Sequence, residues 1–152
     1  MAPVALEDAA RARVVAAFAA QGFMATLGGR LVALEAGACT IEADFSPGLT
    51  QHHGLFHAGV LTTLADNACG FAAMSLLPAQ GPGGGEVLSV EFKCSFLRPA
   101  SGATAVARGQ VLKPGRTLSF CRADVFVRNA GGVETLVATM LATMMSASPG
   151  GR

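Results

Sequence analysis

The feature that most constrains this chain is the stretch from Ala58 to Leu77. It is apolar almost throughout, yet carries Asp66 near its middle, the only Asp, Glu, Lys or Arg between Phe45 and Gly85. A helix of about twenty residues spans about 30 Å, the thickness of a bilayer core. A central acid, with Thr62, Thr63 and Ser75 around it and no Lys or Arg close by, argues against a membrane span. A helix apolar on all sides equally suits a buried position in a globular core. The stretch therefore reads as one long helix, His57 to Leu77, stopped by Pro78, around which the rest of the chain must wrap.

An unpaired carboxylate is costly to bury, and desolvation raises its pKa towards the range of a general base. Asp66 is therefore a candidate functional acid. The other reading is that it caps or hydrogen-bonds a neighbouring loop. His57-Ala58-Gly59 opens the same helix, where backbone amides lack intrahelical acceptors and face the positive end of the dipole. The amides of Ala58 and Gly59 are thus candidate donors to an oxyanion. They are equally the start of an ordinary helix with small residues for packing. Ala58 and Asp66 lie eight residues apart, about 12 Å along a helix. A reacting carbonyl must approach to about 3 Å of each group. If both act, they come from different chains, with two antiparallel helices related by a two-fold axis and two identical sites per dimer.

Composition points the same way. Hydrophobic residues make up 51% of the chain and charged residues 14%, against about a quarter charged in ordinary domains. Burial of surface in an oligomer compensates for so little solvating surface. The net charge of +1 supplies no bulk attraction for nucleic acid or an acidic membrane. Cys39, Cys69, Cys94 and Cys121 form no close pair and read as reduced core thiols, which suits a cytoplasmic chain. The N-terminal sequence has no signal-peptide layout. His52, His53 and His57 lack the spacing of a helical ligand pair, so neither metal nor cofactor is expected and His52 and His53 read as solvent-facing loop residues.

Around the long helix, Leu6 to Gln21 reads as a short amphipathic helix that contacts the core through Leu6, Val14, Val15 and Phe18 and stops at Gly22. Strands are predicted at 30–35 and 38–45, separated by Ala36-Gly37. A polar loop, Thr50 to Phe56, precedes the long helix and a Gly/Pro-rich flexible loop, Gln80 to Gly85, follows it. Next, Leu88, Val90, Phe92, Cys94 and Phe96 alternate with Ser89, Glu91, Lys93 and Ser95, a period-two strand. Further strands fall at 104–112, 117–127 and 135–145. The fold class is α+β: an antiparallel sheet of five to six strands wrapped around one long central helix, with a short N-terminal helix. The expected organisation is an N-terminal helix at 1–22, a main domain at 23–145 and a disordered tail at 146–152.

The run H-A-G-V-L-T-T-L-A-D-N-A-C-G, residues 57–70, resembles the H-G-G-x6-D-x3-G signature of hot dog-fold thioesterases of the phenylacetate-degradation (PaaI) type. L-S-V-E-F-K-C-S-F-L-R-P-A and K-P-G-R-T-L-S-F resemble the family's later strands, so the likeness runs from about Gly22 to Met145. The resemblance implies an acyl-CoA thioesterase with the hot dog fold. Asp66 would be general base or nucleophile. Ala58 replaces the family's first glycine, whose amide polarises the thioester carbonyl. Gln51 matches an Asn or Gln that holds the carbonyl or water, His57 organises the loop, Ser89 positions the water, and Gly70 allows close packing. Arg98, Lys113 and Arg116 are candidates for the phosphates of coenzyme A, though turn bases are often simply solvated. The implied assembly is a homodimer that completes the site, with dimers pairing into a homotetramer. A hot dog-fold enoyl-CoA hydratase and a non-catalytic acyl-CoA binding protein are the alternatives.

Overall fold

The computed structural model describes residues 5–78 and 85–147. Three helices, α1 (Asp8–Ala19), α2 (Gly22–Leu27) and α3 (Ala58–Met74), accompany six strands: β1 (Arg30–Glu35), β2 (Ala38–Asp44), β3 (Glu86–Phe96), β4 (Thr104–Lys113), β5 (Leu118–Arg128) and β6 (Glu134–Ala147). The strands form one antiparallel sheet in the order β1-β2-β4-β5-β6-β3. The long helix α3 lies across its inner face and buries Leu61, Leu64, Ala65, Ala68 and Cys69. The predicted α+β architecture is the one observed.

Small inward residues on the central strands let α3 settle close to the sheet. Ala43, Ala105, Ala107, Ala123 and Ala138 are fully buried there. Gly109 on β4 marks the tightest point: a Cβ at this position would lie 2.4 Å from the backbone of Ala68. The neighbours of Asp66 on the helix are thus held directly against the sheet, which fixes the height of the acid.

Three local expectations are corrected. Gly22 does not end the N-terminal structure but begins α2, which buries Met24 and Leu27 and ends at Gly28, in the left-handed conformation with φ 67°. Val15, expected at the core, is exposed on α1, while Val14, one position earlier, is fully buried. Ser146 and Ala147 are not tail but the end of β6, because Ser146 pairs with Val87 and Ala147 with Glu86. Residues 148–152 of the expected tail and 80–84 of the Gly/Pro-rich loop lie outside the described residues.

A fourth correction matters for the site. The strand at 86–96 does not keep one period-two face. A bulge at Val90 lets Ser89 pair with Met144 and Glu91 with Thr143, one residue later than strict register requires. Val87 and Ser89 before the bulge therefore share the inner face with Phe92, Cys94 and Phe96 after it, and Leu88 turns outward.

Candidate active site

The bulge brings Ser89 to Asp66. Its Oγ donates to Asp66 Oδ1 at 2.7 Å, and Cys94 meets Thr62 through its side chain one helical turn earlier. The helix α3 therefore runs antiparallel to β3. Asp66 is partly exposed and not sealed in the core, because it lies on the helix stripe that the sheet does not cover. It borders a cavity of about 90 Å³ that Ser89, Asn67, Gly70 and Gln21 also line.

The other end of α3 is built by the loop before it. His57 is the N-cap residue: its backbone N–H donates to Leu49 O at 2.9 Å, and its Nδ1 accepts the Gly59 N–H at 2.8 Å. The Gly59 amide is therefore not an unpaired donor, because the helix cap consumes it. The Ala58 N–H keeps that character, with no acceptor among the described residues. Gln51 sits in the same loop, its Oε1 accepting from the His53 N–H, so its side-chain NH2 is the group left to donate. His57 and Gly59 border a separate cavity of about 290 Å³, walled by Phe23 and Leu27 of α2.

Asp66 and Ser89 thus share one hollow, and His57 and Gly59 share another, with no lining residue in common. The candidate phosphate-binding residues divide in the same way. Arg98 follows β3 at the end where Ala100 O accepts from Phe56 N–H, beside the loop that precedes α3. Its guanidinium donates to Leu136 O. Lys113 and Arg116 belong to the β4–β5 turn at the opposite end, where Arg116 O accepts from Ser146 Oγ. One chain does not bring the three together.

The His52 and His53 rings meet at a tilt of 44°, with centroids 4.0 Å apart. Among the described residues no group of three His, Cys, Asp or Glu side chains is placed to hold a metal ion. Among them, too, no helix is long and apolar enough to cross a membrane. Burial pushes the Cys39 thiol up to about 12 and the Cys121 thiol up to about 11, so both are neutral packing groups near pH 7. A cavity of about 380 Å³ lies on the outer face of the sheet and contains none of the candidate catalytic or phosphate-binding residues. Both of its arginines are paired, Arg122 with Asp124 and Arg108 with Glu134.

The sequence and fold agree with known proteins. Residues 53–134 match the thioesterase superfamily model, which covers more than half of the chain and includes both His57 and Asp66. The chain belongs to the thioesterase superfamily and has the hot dog fold. A thioesterase family protein from Silicibacter pomeroyi is 41% identical, with a TM-score of 0.85 over 91% of this chain and 98% of that one. A Halobacterium salinarum protein, an esterase by name, is 30% identical over 107 residues, 68% of this chain and 69% of its own length. The PaaI protein of the E. coli phenylacetic acid degradation operon has the same fold, with a TM-score of 0.79 over 94% of this chain and 96% of that one at 19% identity.

Proposed function

We propose that the protein hydrolyses an acyl-CoA thioester to a free acid and coenzyme A, at sites shared between two chains. The observation that carries this reading is the division of the helix: an acid held by Ser89 in one hollow and an unpaired amide, that of Ala58, between His57 and Gly59, which border another.

The free edge of β3 supports a two-fold assembly. This strand has 11 residues and ends the sheet on one side, and Leu88, Val90, Phe92 and Phe96 along it are about half exposed. A long apolar edge of this kind invites pairing with another strand. A second β3 laid antiparallel against it sets the two α3 helices antiparallel. Asp66 of one chain then approaches Ala58 and Gln51 of the other, and Lys113 and Arg116 approach the other chain's Arg98. Leu112, Leu118, Phe120 and Leu141 are exposed on the outer face, a surface on which two dimers can pair into a tetramer.

In this arrangement the thioester carbonyl oxygen accepts from the Ala58 N–H and from the Gln51 side-chain amide. Asp66, oriented by Ser89, takes a proton from water as its oxygen attacks the carbonyl carbon. The tetrahedral oxyanion is held by the same donors, and its collapse breaks the C–S bond and releases the CoA thiolate. Direct attack by Asp66 would instead give a mixed anhydride that water opens. His57 keeps the loop in place, and Gly59 leaves its approach unobstructed. Purified protein should release thiol from short acyl-CoAs, and Asp66→Asn should abolish that release while the circular dichroism spectrum stays unchanged. Near-normal turnover by a folded Asp66→Asn protein contradicts the assignment.

A further inference from the structure

The hollow beside Asp66 has a wall that the thioesterase motif does not contain. Gln21, at the junction of α1 and α2, lines it opposite Ser89 and Val87, with Gly70 and Phe71 from α3. The backbone of Gln21 is pinned on both sides: its N–H donates to Phe18 O at 3.1 Å and its carbonyl accepts from Ala25 N–H at 3.2 Å. The arm that carries it is tied down as well. Arg13 on α1 donates to the carbonyls of Met74, Leu77 and Pro78, each at 2.9 Å, and so clamps the C-terminal end of α3. The Gln21 carboxamide itself has no partner among the described residues, and it shares the wall of the hollow with the polar side chains of Asp66, Asn67 and Ser89. Gly70 does not serve the close packing expected of it within the chain: a Cβ there would meet nothing within 4 Å, so the space beside the acid is open at this point of the helix.

We propose, on the basis of the thioesterase reading above, that this hollow is the acyl pocket and that Gln21 is its specificity residue, hydrogen-bonding a hydroxyl carried by a short acyl group. The volume of about 90 Å³ holds only a few water-sized groups. That suits an acyl chain of a few carbons. A carboxamide fixed on a rigid arm favours a substrate with a matching hydrogen-bonding group over one of equal size without it, because the unmatched pair leaves polar atoms without partners.

The test compares butyryl-CoA with 3-hydroxybutyryl-CoA and 4-hydroxybutyryl-CoA, in wild type, Gln21→Met and Gly70→Leu. Binding of a non-hydrolysable butyryl-CoA thioether is measured in parallel by calorimetry. Wild type should favour one of the hydroxylated esters over butyryl-CoA by about tenfold in kcat/KM. Gln21→Met, which keeps length and volume, should bring that ratio close to one while still hydrolysing butyryl-CoA. Gly70→Leu, which fills the pocket, should lower turnover of the four-carbon esters far more than that of acetyl-CoA. Hydrolysis with the same ratio in wild type and Gln21→Met overturns the role of Gln21 and leaves the thioesterase reading intact. No hydrolysis by wild type, and no binding of the thioether, overturns both.

Discussion

The N-terminal end of α3 and the acid at its middle are positioned by different means. At the N-terminal end, a loop places backbone: His57 caps the helix through Nδ1, the Gly59 amide is spent on that cap, and the Ala58 amide remains. At the middle, the sheet places a side chain: Gly109 admits the helix closely, and the bulge at Val90 turns Ser89 towards Asp66. The loop end is open and rests on local hydrogen bonds. The acid end depends on long-range packing between strands far apart in sequence. The loop end is therefore legible from a short motif, whereas the acid end needs the tertiary fold.

Mutations at the two ends should consequently fail in different ways. Asp66→Asn has the largest expected effect on chemistry, a loss of about 10²–10⁴ in kcat with little change in melting temperature. Steady-state thiol release and a thermal melt of the same sample check both halves. Gly109→Ala should act through stability. Its Cβ would overlap the Ala68 backbone, and forcing the helix from the sheet should cost about 3 kcal/mol, lowering Tm by about 6–12 °C. Ser89→Ala removes the hydrogen bond to Asp66 and should lower kcat by about tenfold at nearly unchanged KM, since Ser89 orients the acid and does not hold the substrate. His57→Ala, at the loop end, removes a cap acceptor and should cost about 1 kcal/mol, visible as a small fall in the urea midpoint.

A pH titration adds a difference that touches neither end. The Cys39 and Cys121 thiols are raised by burial, to about 12 and about 11. Folding therefore favours their neutral forms. Their contribution to stability is full below the unfolded thiol pKa of about 8.5 and is lost as the pH rises through the folded values. Urea midpoints should thus decline between pH 9 and 11, and thiol reagents at pH 8 should leave both residues unmodified in the native protein.

Much of this was legible in the sequence, for identifiable reasons. The long helix announced itself because it is apolar on every side. The lone acid stands out against that background, and the helix rise alone separates Asp66 from Ala58. What stayed hidden was set by contacts between distant residues. The bulge at Val90 left no signal, because the apolar alternation runs unbroken from Leu88 to Phe96 and alternation alone does not say where register slips. The capture of the Gly59 amide depends on the rotamer of His57. The place of Gln21, the last residue but one of the N-terminal segment 1–22, in the wall beside Asp66 also had no sequence signal. Gly22 concealed this, since a glycine reads as a stop even where it opens a second helix.

The central claim is that neither end of α3 suffices within one chain. Co-folding Asp66→Asn chains with Gln51→Ala chains, each impaired as a homodimer, tests this directly by thiol release after heterodimers are verified by native mass spectrometry. Random pairing makes about half of the dimers mixed, each with one intact site of two, so activity should recover to about a quarter of wild type. Activity no higher than the mean of the two homodimers, in samples shown to contain mixed dimers, would contradict a site shared across the two-fold axis.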